Sequence, residues 1–571
     1  MAKTLPKTDV VIVGVGWAGG IIASELTKSG LNVVGLERGK ERKTEDYFMV
    51  HDELRYALRY ELMQDLSKDT VTFRSTEKIR ALPMRSYGSF LLGEGLGGAG
   101  VHWNGQTYRF LPYDFEIRSK TIERYGKGKI PDGMTIQDWG ITYDEMEPYY
   151  DKFEKLTGIS GEPNPLGGKR SAGYPTPPMK KSPALSLFAD AASKLKLHPY
   201  MMPSANLSEP YTNPDGISRA ACQYCAYCER FGCEYGAKAD PVVTVLPVAL
   251  KTGKFEIRTH SHVRRILHKG GKATGVMYTD VTTGEELIQP ADIVVVTSYV
   301  FNNVKLLLMS GLGKPYDAAS GTGVIGRNYA YQVLKGNAAG FFDEKQFNTF
   351  AGAGSLGVTL DDYNGDNFDH TDLKFIHGGS ISLSQTGMRP IANNPVPAGT
   401  ATWGAEFKAN SVKYANRVLS VGGQGSCMPF RHHFLDLDPT YKDAYGDPLV
   451  RLTFDFEEQD RQLALYLSGK CAEIMKEMGA SHIDQLKELG PYEITTYQST
   501  HNTGGVVMGA TPDTSAVNTY LQMWDAENVF VVGASAFPHN SGYNPTDTVG
   551  ALAYRASEGI LKYRQKGGKL V

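Results

Sequence analysis

Residues 9–39, DVVIVGVGWAGGIIASELTKSGLNVVGLERG, leave the chain little choice of fold. Val10-Val11-Ile12-Val13 is a short continuous apolar run, as a parallel strand buried on both faces requires. Gly14, Gly16 and Gly19 follow in G-x-G-x-x-G spacing, then Ile21, Ile22, Ala23 and Leu26 set an apolar stripe on a helix that Gly30 ends. A second strand, Asn32 to Leu36, stops at Glu37. The first glycine permits the tight turn, the second lets a pyrophosphate approach the backbone, and the third lets helix pack on sheet. Free N–H groups and the dipole at the helix N-terminus attract the phosphates. Glu37 stands about 20 residues on, where a carboxylate can accept from ribose hydroxyls. The strand before, the helix after and the acid beyond make this a dinucleotide site rather than a glycine-rich turn in a ligand-free α/β fold. The motif alone does not separate FAD from NAD.

At 571 residues the chain exceeds one ordinary core, so two or more domains are expected. Lys plus Arg is 60 and Asp plus Glu 62, so the basic excess of a nucleic-acid binder is missing. No apolar run approaches the ~20 residues that span a bilayer. The first apolar stretch runs straight into the glycine motif, with no cleavage site after a long apolar region. The expectation is a chain with no visible address of its own, either cytoplasmic or exported folded with a partner.

Further segments narrow the reading. Residues 93–105, GEGLGGAGVHWNG, form a dense glycine loop suited to packing backbone against a flat ring system. Residues 255–280 read as two strands and a turn, and 292–313 as a buried strand, a turn and an apolar helix. Residues 526–552 read as a strand, a Gly-Ala-Ser turn, a polar loop and a helix. Residues 158–181 are rich in Gly, Pro, Ser and Lys and read as a long surface loop or lid, and 458–478 as an amphipathic helix. Cys222, Cys225, Cys228 and Cys233 fall within CQYCAYCERFGC. Such clustering favours zinc or iron–sulfur ligation over disulfides. The last gap is x4 and Glu234 follows, so this is not the ferredoxin run. Cys427 and Cys471 are isolated and read as buried small hydrophobes.

Taken in order over nearly the whole chain, the glycine motif, GLGGAGVHWNG, HVRRILHKGGKATGV, LLLMSGLG, GVIGRN, HNTGG and VVGASAFP resemble the glucose-methanol-choline (GMC) oxidoreductase family. Within it the resemblance is to the flavoprotein subunits of bacterial sugar and sugar-acid dehydrogenases, gluconate 2-dehydrogenase type first. Sorbitol, 2-ketogluconate, glucose and glucoside 3-dehydrogenase types remain open, as does an oxygen-using oxidase of the same fold. The resemblance implies a mixed α/β and α+β fold. A discontinuous Rossmann-like FAD-binding domain (1–105, 215–330 and 499–571) would carry the cysteine cluster. A substrate-binding domain of antiparallel sheet and helices (106–214 and 331–498) would sit on it. Besides Gly14, Gly16, Gly19 and Glu37, it implies FAD contacts at Gly97, Gly98, His102, Asn104, Val263, Gly533 and Ala534.

The matching catalytic positions are His501, in STHNTGG, and Asn544, in SGYNPTD. A neutral imidazole can take a hydroxyl proton near pH 7, and an amide beside it can hold the substrate oxygen. The bland alternatives are a loop histidine bonded to backbone and a turn former before Pro545. His539 ranks below both because it precedes the matching position. Val101-His102-Trp103 resembles the Thr-His-Trp of pyranose oxidase, which implies an 8α-histidyl flavin at His102, against a non-covalent packing histidine. Related subunits carry a three-iron cluster, so 3Fe–4S ligation by Cys222, Cys228 and Cys233 is implied, with Cys225 spare or a fourth ligand and structural zinc the alternative. The resemblance also implies a small subunit with an export signal, a multiheme cytochrome c acceptor, and a periplasmic location with membrane contact through those partners. A sugar-acid carboxylate would want a cation; Arg389, Arg431 and Arg451 are candidates, with a solvated face the commoner fate of each.

Overall fold

The computed structural model describes residues 2–47, 50–389 and 391–570. Its central element is an eight-stranded sheet. Besides the two-residue strand Lys3–Thr4, which pairs in parallel with Leu287–Ile288, five strands run parallel: β1 (Thr8–Val13), β2 (Val33–Leu36), β3 (Phe255–Arg258), β6 (Glu286–Val296) and β7 (Val529–Val531), in the order β3-β2-β1-β6-β7. The antiparallel pair β4 (Ser261–Lys269) and β5 (Lys272–Asp280), joined at Gly270-Gly271, continues from the first half of β6. Residues 255–280 thus hold three strands where two were expected. Phe255–Arg258 is too short to show an alternation of its own and is fixed by pairing with β2.

Apolar burial explains the centre. Val10, Val11 and Ile12 of β1 are fully buried, as are Ile21, Ile22 and Leu26 on α1 (Trp17–Lys28). Each such side chain contributes about 1.5–3 kcal/mol when buried. A Cβ on Gly19 would lie 2.2 Å from the Gly14 carbonyl oxygen, so only glycine lets α1 come down on the strand here. Two more helices start at the same edge: α2 (Val300–Ser310) follows β6, and α3 (Thr546–Lys566) follows β7.

A second, six-stranded sheet is wholly antiparallel, in the order His482–Gln485, Ala338–Phe341, Val418–Gly425, Gly379–Ser384, Gly357–Leu360, Tyr200–Met201. The amphipathic helix Glu458–Glu477 buries Leu463, Leu467, Cys471 and Ile474 against it. Cys427 and Cys471 are both fully buried. Residues 158–181 lack regular structure but are not simply a surface loop. Ile159, Ser160, Thr176 and Met179 are buried, and Ser160 bridges both Thr176 and Ser204. Arg170 holds the exposed middle down by pairing with buried Glu154. No helix among the described residues is long and apolar enough to cross a membrane.

Candidate active site

A cavity of about 480 Å³ opens at the carboxyl ends of the parallel strands. Gly14, Gly16, Glu37, Gly98, His102, Asn104, Val263, Gly533, Ala534, His501 and Asn544 all line it. Gly19 and Gly97 stand behind the wall: Gly19 seats the helix, and the Gly97 N–H donates to the Val15 carbonyl at 2.9 Å. The two glycine loops face each other, because a Cβ on Gly98 would sit 3.6 Å from the Gly16 Cα. Gly14 at φ 90° and Gly98 at φ 53° hold backbone conformations that side chains disfavour. The first residues of α1, α2 and α3 all border the cavity, so three helix N-termini turn their positive ends toward it. Glu37 accepts from the backbone N–H groups of Val15 (3.2 Å) and Gly39 (3.0 Å), and burial pushes its pKa up.

At the opposite end the network fixes a tautomer. Gln332 donates its amide Nε2 to the carbonyls of Ser541 (2.9 Å) and Tyr543 (3.0 Å), which turns Oε1 to His501 Nδ1. An amide oxygen only accepts, so Nδ1 carries the proton and Nε2 keeps its lone pair. Asn544 Nδ2 stands 3.3 Å from that Nε2, while its Oδ1 accepts from Gln424 Nε2 at 3.1 Å. The His501 carbonyl accepts from Asn540 Nδ2 at 2.6 Å. Burial pushes the His501 pKa down to about 4, so the imidazole is neutral at pH 7. The structure therefore brings His501 and Asn544 together. Sequence reading missed Gln332 and Gln424, two amides in unremarkable surroundings that only long-range folding brings to the site. His539 is buried away from the cavity, 2.9 Å from the Asp114 carbonyl.

His102 closes the short helix Ala99–His102. It is buried, its Nε2 has no hydrogen-bond partner, and burial followed by the Lys238 charge pushes its pKa down to about 3. A neutral, unpartnered ring nitrogen on the cavity wall is what a ring-bonded cofactor would use.

The cysteine loop lies directly behind. Arg230 donates its backbone N–H to the His102 carbonyl at 2.6 Å. Buried Lys238 donates to the carbonyls of Trp103 (2.7 Å), Cys228 (2.8 Å) and Phe231 (2.9 Å). Tyr224, Ala226 and Arg230 adopt positive φ, which bends the loop around its thiols. Cys222, Cys228 and Cys233 sulfurs accept from Tyr224 N, Asn206 Nδ2 and Lys238 N at 3.4–3.5 Å. Tetrahedral zinc, with Zn–S near ~2.3 Å, holds its thiolates about 3.8 Å apart. Among the described residues no three of these four sulfurs lie within 4.8 Å of one another. Cys225 groups instead with His51 and Glu234.

None of the suggested arginines lines the cavity. Arg389 pairs with Glu53, Arg451 with Asp436, and Arg431 donates to the carbonyls of Ala318 and Ala319. The cavity wall carries Arg38, Arg264, Lys305 and Arg230, the last stacked 3.9 Å over the Tyr497 ring with its Nε 3.5 Å from the Glu229 carboxylate.

Two family models described as GMC oxidoreductase match residues 137–334 and 429–553. Gluconate 2-dehydrogenase flavoprotein of Pantoea cypripedii is 44% identical over 100% of this chain and 96% of its own length. 2-Methyl-1,2-propanediol dehydrogenase of Mycolicibacterium austroafricanum is 28% identical over 98% of this chain and 96% of its own. The fold is shared with pyridoxine 4-oxidase from Mesorbium loti, at TM-score 0.61 and 18% identity, covering 97% of this chain and 99% of that one. With that sequence kinship along its whole length, the chain belongs to the GMC oxidoreductase family.

Proposed function

We propose that this chain is an FAD-dependent dehydrogenase acting on a CH–OH group of a sugar, sugar acid or polyol, of the gluconate 2-dehydrogenase type. The observation that carries the reading is the His501–Asn544 pair at the end of a dinucleotide-type cavity. The cavity fits FAD: a glycine cradle, three helix N-termini and an orphaned His102 nitrogen surround it. Bound FAD would supply the hydride acceptor. The chain supplies the rest. His501 Nε2, held unprotonated by Gln332, accepts the hydroxyl proton. Asn544 Nδ2 donates to the substrate oxygen and fixes its direction. Gln424 keeps that amide facing the histidine.

The finer reading extends beyond this step. Arg230 would hold a sugar-acid carboxylate. Cys222, Cys228 and Cys233 would bind an iron–sulfur cluster of 3Fe–4S type, relaying electrons to a cytochrome c partner. That suits thiols that already accept N–H groups and stand wider apart than one zinc ion allows. FAD would be bonded to His102. Residues 1–105, 215–330 and 499–571 would form the FAD-binding domain, and 106–214 with 331–498 the substrate-binding domain. An export-signal small subunit and a periplasmic, membrane-associated location complete the proposal, supported by kinship with the Pantoea flavoprotein.

The test is anaerobic bleaching of the flavin by a panel of sugars, sugar acids and polyols. Fast bleaching by gluconate supports the leading type. Bleaching by another member reassigns the substrate, and none by any member rejects the dehydrogenase reading. Rapid reoxidation by O₂ alone would favour an oxidase.

A further inference from the structure

His432, His433 and Glu457, which line no part of the cavity, bring three metal-type donor atoms within 4.8 Å of one another. His432 Nε2 is 2.6 Å from Glu457 Oε1, and His433 Nε2 is 3.1 Å from the same oxygen. The second contact is close but misdirected: fully buried His433 has no hydrogen-bond partner at either ring nitrogen. Leaving such a polar group unsatisfied is costly, so its place beside the Glu457 carboxylate wants an explanation.

We propose that His432, His433 and Glu457 form a structural site for a divalent transition-metal ion of the zinc type. Two imidazoles and a carboxylate are a ligand set such ions accept, with water completing the shell. His432 is exposed and gives the ion an entry path. Glu77 and Asp455 add negative potential at the two imidazoles. Neighbouring cations are already engaged: Arg431 on the Ala318 and Ala319 carbonyls, Arg461 on those of Phe456, Leu489 and Gly490.

The position gives the ion a purpose. Glu457 caps helix Glu458–Glu477, and His433 directly precedes the strand Phe434–Lys442. A metal bond would clip the helix start to that strand. A few residues upstream, Cys427 bridges to Asn540, which holds the His501 carbonyl. The ion would thus brace one wall behind the catalytic histidine without touching the reacting groups.

The experiment uses the full, cofactor-loaded enzyme, freed of loosely held metal with EDTA and titrated calorimetrically with ZnCl₂, alongside thermal melts with and without Zn²⁺. Other thiol and imidazole groups also take zinc, so three variants assign the signal. His432→Ala is exposed and should fold. Zn²⁺ affinity at one site per chain should weaken roughly tenfold or more in His432→Ala and in Glu457→Gln, and stay in His51→Ala. The Zn²⁺-dependent rise in Tm should follow the same pattern. Co²⁺ should give visible absorption bands in wild type that His432→Ala lacks. Equal heats, equal melting shifts or equal cobalt spectra in wild type and His432→Ala would overturn the proposal.

Discussion

Asn544 Nδ2 lies 3.3 Å from His501 Nε2, with both side chains fixed from behind by glutamine amides. That arrangement aims one lone pair and one N–H at the same point. His501→Ala removes the proton acceptor and should lower the rate of anaerobic flavin reduction by roughly 10²–10⁴-fold. FAD content should stay unchanged, and stopped-flow absorbance reads both.

Gln332 acts through His501. Gln332→Ala should cost about two- to tenfold in kcat, the worth of one ordinary hydrogen bond. Gln332→Glu makes a sharper test. The histidine works when neutral, so the rate falls as pH drops through its pKa. That pKa is held near 4 by burial in the native protein. A carboxylate at position 332 stabilises the imidazolium and raises the pKa, so the acid limb of kcat/KM should move to higher pH. A profile that does not move in Gln332→Glu would remove the residue from this role.

His102 predicts a colour. Acid precipitation of wild type should carry the yellow flavin into the pellet, and His102→Ala should release it to the supernatant. Wild-type flavin found wholly in the supernatant rejects the bond.

The cysteine loop predicts an asymmetry. Cys222→Ser, Cys228→Ser and Cys233→Ser should each lower iron and labile sulfide, whereas Cys225→Ser, whose sulfur groups with His51 and Glu234, should keep both. Elemental analysis and EPR of the oxidised protein decide. Equal loss in all four variants means a four-cysteine site.

Stability should hinge on Glu154, whose carboxylate is gripped by Arg109 at 2.8 Å through two nitrogens and by Arg170 at 3.0 Å. All three side chains are largely buried. Glu154→Gln leaves Arg170 without its counter-charge and Arg109 with Glu147 alone, and should cost about 3–5 kcal/mol in urea unfolding. Arg170→Lys should cost less and should mainly loosen residues 158–181 to proteolysis.

The strand–helix–strand of residues 8–36 was legible because every signal there is local: apolar runs, glycine spacing, a terminal acid. His501 and Asn544 were legible through short motifs shared across a family. Gln332 and Gln424 were not. A glutamine acquires its role from what folds against it, here 169 and 120 residues away in the chain. The same holds for Arg230: its place on the cavity wall depends on stacking with Tyr497, and no spacing rule links the two. The grouping of Cys225 with His51 and Glu234 was equally hidden, because positive φ at Tyr224 and Ala226 turns the loop in a way that spacing cannot reveal.

Lys238 spans the join between the His102–Trp103 turn and the thiol loop, with three carbonyl oxygens on one ammonium group. Such a rivet makes the two segments move as one body. Any electron that leaves the ring end for the sulfurs would therefore cross a gap of constant width, however much the outer loops shift when a partner or a sugar arrives.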